Sequence, residues 1–345
     1  MSPDYTSTFR AAVVQAEPVW FDLEATMAKT FTLIKEAAAN GADLIAFGET
    51  WLPGYPWFVW LDSVAWQSQF LVRYAQNSVT LEGPEFAGLQ EAARKNNLAL
   101  ALGYSERSGG SLYMGQAVID RDGTVISARR KLKPTHVERT LFGEGDGADI
   151  IVSDTSLGRV GSLCCWEHLQ PLTKYAMFSQ HEQIHIAAWP SFSIFPGAAW
   201  ALGPEVNTAA SQQYAVEGQA YVLAPTSVIG QSAWDTMCDT ELKKQLLQLG
   251  GGYARIFGPD GRPLAEPLLP TEEGILYADL DLSLILAAKN AADPVGHYSR
   301  PDIFRLLFDS SARENVRPLL VDSVPATAAA EAAEVVEETP LDELA

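Results

Sequence analysis

Cysteine is scarce in this 345-residue chain: there are three, and two of them, Cys164 and Cys165, are adjacent. So few, in odd number, make no disulfide framework, and a reducing, cytoplasmic location is expected. Basic residues are in deficit, 24 Lys and Arg against 43 Asp and Glu, giving a formal charge of −19. Phosphate-backbone recognition needs clustered cations, so no nucleic-acid partner is expected. No apolar run approaches the ~20 residues that a membrane span requires, and no membrane association is expected. The polar start, Met1 to Arg10, lacks the basic-then-apolar order of a secretory signal. The G-x-S-x-G elbow, the G-x-G-x-x-G turn and the Walker loop are also missing; Gly250-Gly-Gly252 lacks the Lys-Ser/Thr that would follow.

What is present reads as one folded body over residues 1–317 and an acidic tail over 318–345. Beyond Arg317 there is no Lys or Arg, while Asp322, Glu331, Glu334, Glu337, Glu338, Asp342 and Glu343 follow. Such a segment is expected to be solvated, disordered or loosely helical. In the body, helix and strand patterns alternate. Phe9 to Ala16, Asp43 to Gly48, Leu98 to Tyr104, Val160 to Cys165, Ile184 to Ala188 and Tyr221 to Ala224 read as strands. Leu23 to Ala38, the stretch around Phe86, Leu89 and Ala93, Leu172 to Ser179 and Glu205 to Glu217 read as helices. Arg121-Asp-Gly123 marks a hairpin between Ser111–Asp120 and Thr124–Lys131, and Gly258-Pro-Asp-Gly261 suggests a second. Crossover units mixed with hairpins imply an α/β fold with mixed sheets covered by helices.

Three segments put reactive side chains near strand ends. In Phe47-Gly-Glu49-Thr-Trp-Leu-Pro-Gly-Tyr55-Pro-Trp57 a carboxylate follows an apolar strand, where burial is costly without purpose. Taken alone, it is more often a surface residue. In Arg129-Arg-Lys131-Leu-Lys133-Pro-Thr-His-Val-Glu138 the cations close a hairpin, and strand alternation is expected to send Lys131 and Lys133 to one side and Arg130 to the other. In Cys164-Cys165-Trp166-Glu167-His168 a thiol ends a strand. A following helix is expected to offer backbone N–H groups, and alternation lets at most one cysteine into a site, without saying which. Together, carboxylate, ammonium and thiol supply what covalent catalysis at carbon needs without a metal or cofactor: a base for the thiol proton and a cation for developing charge. Tyr55, Trp57, Trp189, Ser191 and Phe192 follow strand ends and are candidates for an aromatic-lined pocket, or for ordinary core. A competing pattern is His181-Glu-Gln-Ile-His185, the H-E-x-x-H of zinc hydrolases. It requires a continuous helix, whereas His185 reads as strand.

At these segments the sequence closely resembles nitrilases of the carbon–nitrogen hydrolase superfamily, and among them the bacterial arylacetonitrilase-like group. The resemblance runs from about Phe9 to Leu307 through FGETWLPGYP, RRKLKPTHVERTLFGEGDG, LCCWEH, HIAAWPSFS and DPVGHYSRP. It implies a four-layer α-β-β-α sandwich and a Glu–Lys–Cys triad. The family's lysine falls on Lys131, two residues before Lys133. Its nucleophile, followed by an aromatic and an acidic residue, falls on Cys165, and a second glutamate on Glu138. The Trp166 backbone N–H is expected to assist at the oxyanion. A small organic nitrile, hydrolysed to acid and ammonia, is the implied substrate, and arylacetonitriles are favoured. Dimers joined through helical faces, extending to spirals or filaments, are the implied assembly. The alternatives are an amidase of the same superfamily, a zinc hydrolase through His181 and His185, and a non-catalytic assembly protein on the same fold.

Overall fold

Side chains that alternate along each strand are sorted between different cores, and this sorting builds the layers. The structure is a computed structural model that describes residues 4–313 and 316. Its strands are β1 (Thr8–Ala16), β2 (Leu44–Ala46), β3 (Ala99–Ser108), β4 (Ser111–Ile119), β5 (Val125–Arg130), β6 (Phe142–Gly143), β7 (Val152–Thr155), β8 (Gly158–Cys164), β9 (Ile184–Ala188), β10 (Tyr221–Ala224), β11 (Thr226–Ser227), β12 (Arg255–Phe257) and β13 (Gly274–Asp281). The helices are α1 (Leu23–Ala39), α2 (Val64–Gln76), α3 (Pro84–Asn96), α4 (Pro171–Phe178), α5 (Pro204–Gly218), α6 (Gln231–Met237), α7 (Glu241–Leu246) and α8 (Ser283–Ala292).

Among the described residues the strands form two sheets. One is eight-stranded, ordered β11-β1-β2-β3-β4-β5, with β13 also on β1 and β6 on β4; the other is five-stranded, ordered β12-β10-β9-β8-β7. Ala11 and Val13 of β1, Leu44 and Ala46 of β2 and Ala99 and Ala101 of β3 share a core with Val160, Ile184, Ile186 and Leu223 of the other sheet. The intervening Ala12, Val14, Ile45, Leu100 and Leu102 pack instead on Met27, Ile34 and Ala37 of α1 and on Phe86, Leu89 and Ala93 of α3. On the far side, Leu163, Ala187, Val222 and Ala224 pack on Met177 of α4 and on Tyr214 and Ala215 of α5. The order is therefore helix, sheet, sheet, helix: the expected four-layer sandwich of mixed sheets.

Most elements lie where the periodicity placed them. The second Asp-Gly turn does not open a long hairpin. It closes on a single bridge, Phe257 to Pro263, and the next strand, β13, crosses to pair antiparallel with β1. Helix α2 escaped the periodicity because its apolar residues Val64 and Val72 point to solvent while Gln67 is buried. The chain divides into Met1–Ser311, which carries both sheets, and Ala312–Ala345, of which Ala312, Arg313 and Val316 are described. The acidic tail expected over 318–345 lies outside the described residues. Among those described, no helix is long and apolar enough to cross a membrane.

Strands β1, β2 and β3 run parallel, as do β8, β9 and β10. Glu49, Cys165 and the Trp189–Phe192 segment follow the carboxyl ends of β2, β8 and β9. Ile186 lies in the core between the sheets with 1% of its surface exposed. Ile186→Ala should cost about 2–5 kcal/mol of stability, read as a lower midpoint of denaturant unfolding; an unshifted midpoint would contradict this packing.

Candidate active site

Hairpin geometry carries Lys131 inward. Strand β5 ends at Arg130, but the Lys131 N–H still donates to Met114 O at 2.7 Å, so its side chain keeps the strand's alternation and shares the inner face with Arg129. Its Nζ donates to Glu49 Oε1 at 2.8 Å and to Glu138 Oε2 at 2.7 Å, with all three groups buried. Burial opposes the ammonium charge, yet the carboxylates of Glu138 and Glu49 hold its pKa well above the usual lysine range. Burial also pushes the Glu49 carboxyl up, against the pull of Lys131 and with the push of Glu138, to about 8. Glu138 is fixed further by Tyr55, whose hydroxyl donates to Oε1 at 2.5 Å, and by the Thr135 N–H, which donates to Oε2. Lys133, expected beside Lys131, is exposed and pairs with Glu144, because the pleat does not continue past the strand into Pro134.

The Glu49 loop bridges the sheets: the Glu49 N–H donates to Trp189 O at 3.1 Å. Gly103 on β3 makes this possible, since a β-carbon there would overlap the Gly48 carbonyl and the Thr50 N–H.

Cys164 is the last residue of β8 and is fully buried. Cys165, the next residue, has φ +47, the left-handed region in which a non-glycine residue is strained. This kink takes Cys165 out of the strand's alternation and places it on the cavity wall. Burial, and then the charge of Glu49, push its thiol well above the ordinary range, while Lys131 and the Trp166 N–H pull the other way. The expected helix does not follow directly. A single 3₁₀ turn, Cys165–Leu169, intervenes, and α4 begins at Pro171, which has no N–H to offer.

Glu167 has a role the sequence did not reveal. Its carboxylate forms a two-pronged pair with the Arg129 guanidinium at 2.6 and 2.9 Å and accepts from the Cys164 and Leu132 N–H groups at 2.7 and 2.8 Å. Burial pushes this carboxyl up, but Arg129 and the two amides hold it below the usual range. One side chain thereby ties the end of β8 to the end of β5, and so the thiol to the ammonium.

Tyr55, Trp57, Glu138, Cys165, Trp166, Trp189, Ser191 and Phe192 line one cavity of about 30 Å³, together with Trp60, Thr135, Pro190, Ile194, Leu202 and Asn207. Glu49 and Lys131 are fully buried and are not part of this lining; Lys131 is joined to it through Glu138. Glu49 Oε2, Trp57 Nε1 and Ser191 Oγ are among the buried polar atoms of the described residues that have no hydrogen-bond partner in the protein. Trp60 and Asn207 were not singled out in the sequence. Trp60 Nε1 donates to the Tyr55 hydroxyl at 2.9 Å, and Asn207 accepts from Trp166 Nε1 at 3.0 Å. No local pattern marks Asn207, which sits on α5, but the Thr135-x-x-Glu138 spacing does carry a capping-box signature.

The H-E-x-x-H pattern does not form a helix face. Helix α4 ends at Phe178, and His181 is exposed in the following turn. His185 is buried on β9, with its ring nitrogens engaged by Glu182 and His168. The buried Arg129–Glu167 pair makes a clear stability prediction. Arg129→Leu leaves a carboxylate buried without its cation and should cost about 3–5 kcal/mol, read as a fall in melting temperature; a negligible shift would show that Glu167 is held in some other way.

The chain is similar over most of its length to known proteins. Residues 10–290 match the carbon-nitrogen hydrolase family. The chain is 56% identical over 313 residues to a nitrilase from Pseudomonas syringae, covering 91% of this chain and 92% of that protein. It is 55% identical over 306 residues to an arylacetone-specific nitrilase from Alcaligenes faecalis, covering 88% and 86%, and 53% identical over 307 residues to an aliphatic nitrilase from Rhodococcus rhodochrous, covering 89% and 84%. In fold it is similar to the crystal structure of a carbon-nitrogen hydrolase from Helicobacter pylori, with a TM-score of 0.69 at 20% identity, covering 87% of this chain and 98% of that one. The chain belongs to the carbon–nitrogen hydrolase family.

Proposed function

We propose that the protein is a nitrilase that converts an organic nitrile to the carboxylic acid and ammonia through Cys165, with Glu49 as base, Lys131 as electrostatic partner and Glu138 in support. The observation that carries this reading is one ammonium shared by two buried carboxylates, one of which, Glu138, lines the same aromatic-walled cavity as the Cys165 thiol. Glu49 Oε2 takes the Cys165 proton as sulfur bonds to the nitrile carbon. The nitrogen gains an electron pair from the C≡N bond and receives that proton, giving a thioimidate. Lys131 and the Trp166 N–H stabilise the charge that develops on nitrogen. Water adds to the thioimidate carbon, and its two protons pass in turn through Glu49 to nitrogen. The C–N bond breaks, ammonia leaves, and a thioester remains. A second water, activated in the same way, releases the acid and restores the thiol.

A base is most effective when its pKa lies near the working pH. The carboxyl of Glu49, raised to about 8, suits the task better than an ordinary glutamate. Arylacetonitriles are the proposed substrates, supported by Tyr55, Trp57, Trp60, Trp189 and Phe192 around the cavity and by the arylacetone-specific relative. A cavity of about 30 Å³ holds the nitrile end alone, far below the ~300 Å³ or more typical of ligand pockets. An aryl group therefore needs the partly buried walls Trp60, Phe192 and Leu202 to move. Assembly from dimers and a cytoplasmic location belong to the same proposal. The first rests on the family resemblance and is tested by sedimentation; the second is supported by three free cysteines.

Cys165→Ala should abolish ammonia release and the acyl-enzyme mass shift, and Cys164→Ala should keep both; normal turnover in Cys165→Ala would end this reading. Phenylacetonitrile should be preferred to a short aliphatic dinitrile and to phenylacetamide in kcat/KM, and a preference for the amide would favour an amidase. Because Glu49 must be deprotonated to act, kcat/KM should rise with pH and level off above about 8, in keeping with its raised pKa. An acid limb in the ordinary carboxylate range would contradict that assignment.

A further inference from the structure

The mechanism leaves unused a buried polar cluster that meets Cys165 at its backbone carbonyl. His168 ends the turn that begins at Cys165, and its Nδ1 lies 2.6 Å from the Cys165 carbonyl oxygen. Its Nε2 lies 2.9 Å from Nε2 of His185 on β9, and Nδ1 of His185 lies 2.7 Å from Glu182 Oε1. The Tyr214 hydroxyl of α5 donates to Glu182 Oε2 at 2.6 Å. All four residues are buried. His168 stacks on Trp189 and His185 on Tyr214, so neither ring is free to turn. Gly161, opposite His185 on β8, makes room for this cluster, since a β-carbon there would overlap Glu182 Oε1.

The protons in this chain are fixed by chemistry. A carbonyl oxygen only accepts, so His168 Nδ1 carries a hydrogen. Each of the two remaining links, His168 to His185 and His185 to Glu182, needs one proton between its atoms. The trio therefore holds three protons and has no net charge. Burial favours the arrangement without separated charges: His168 neutral with N–H at Nδ1, His185 neutral with N–H at Nε2, and Glu182 as the carboxylic acid. The pKa shifts agree. Burial and His185 lower His168 to about 3, burial holds His185 well below its usual value, and burial raises Glu182 to about 8. The chain ends on a carbonyl that has no proton to pass on, so it is no relay to the sulfur.

We propose that His168 is a positioning residue for the nucleophile: its Nδ1–H holds the Cys165 carbonyl and with it the left-handed kink that presents the sulfur, while His185, Glu182 and Tyr214 lock the His168 tautomer. This rests on Cys165 being the nucleophile of the proposed function. The kink needs such a hold because a non-glycine residue at φ +47 is strained.

The test uses the full-length protein. In His168→Phe the ring remains but the donor is lost, and kcat should fall on the order of tenfold to a hundredfold with KM little changed. His168→Asn, whose side-chain amide takes the place of Nδ1, should recover most of that loss. Glu182→Gln should stay close to wild type, because its amide NH₂ donates to His185 while its carbonyl accepts from Tyr214. Nitrogen NMR of the wild type, with the five histidines assigned by single substitutions, should show the ring proton of His168 on Nδ1 and that of His185 on Nε2. This last measurement holds even if a variant fails to fold. Equal activity in His168→Phe and wild type, the opposite tautomer at His168, or a Glu182→Gln variant as impaired as His168→Phe would each overturn the proposal. The rate of Cys165 alkylation by iodoacetamide, slower in His168→Phe than in wild type, needs no turnover. If the wild type releases ammonia from no nitrile, the proposed function fails, while the alkylation rates and tautomers still decide the role of His168.

Discussion

An ammonium buried between two carboxylates is the interaction on which the rest of this structure depends. Lys131, Glu49 and Glu138 are all shielded from bulk solvent. Such groups are tolerated in the interior only when each is paired and hydrogen-bonded. The surrounding fold meets that demand in detail. Tyr55 and Thr135 complete Glu138, and the Glu49 N–H is tied to the opposite sheet through Trp189. One carboxylate oxygen, Glu49 Oε2, is left unpartnered among the described residues, and it is the oxygen that the proposed chemistry uses.

A second buried pair sets the first in register. Arg129 sits two residues before Lys131 on the same face of the hairpin, and Glu167 two residues after Cys165. Their two-pronged bond, with the amides of Cys164 and Leu132 on the same carboxylate, joins the strand ends that carry ammonium and thiol. A charge pair in this position contributes more through geometry than through net stability, since buried pairs often do no better than apolar replacements. Glu167, at the Cys164 N–H, and His168, at the Cys165 carbonyl, both hold the Cys165 turn.

The layered fold was legible because its signals are local. Ala11 and Val13 face one core, Ala12 and Val14 another, and a two-residue period is visible without a partner. The site was legible in part. Glu49 stood out as a costly carboxylate after an apolar strand, a lysine and a thiol at neighbouring strand ends completed the chemical requirement, and the family resemblance chose Lys131 over Lys133 and Cys165 over Cys164 and marked Glu138. Strand alternation misplaced Lys133, since the strand had already ended, and α2 hid behind apolar residues that face solvent. Glu167, Trp60, Asn207 and the His168 chain were not legible as working parts, because what each touches lies on another element.

The sequence by itself determined the central strands, the helices that carry a clear apolar face, and which reactive groups follow the strand ends, since periodicity and turn chemistry act over a few neighbouring residues. Only the tertiary structure decided that Lys131 meets Glu49, 82 positions away, that Glu167 clamps Arg129, and that His185 serves a histidine rather than a metal-binding helix face. The physical reason is that a hydrogen bond forms over about 3 Å between atoms brought together by sheet pairing, and no local pattern in the chain states which distant residue will be there.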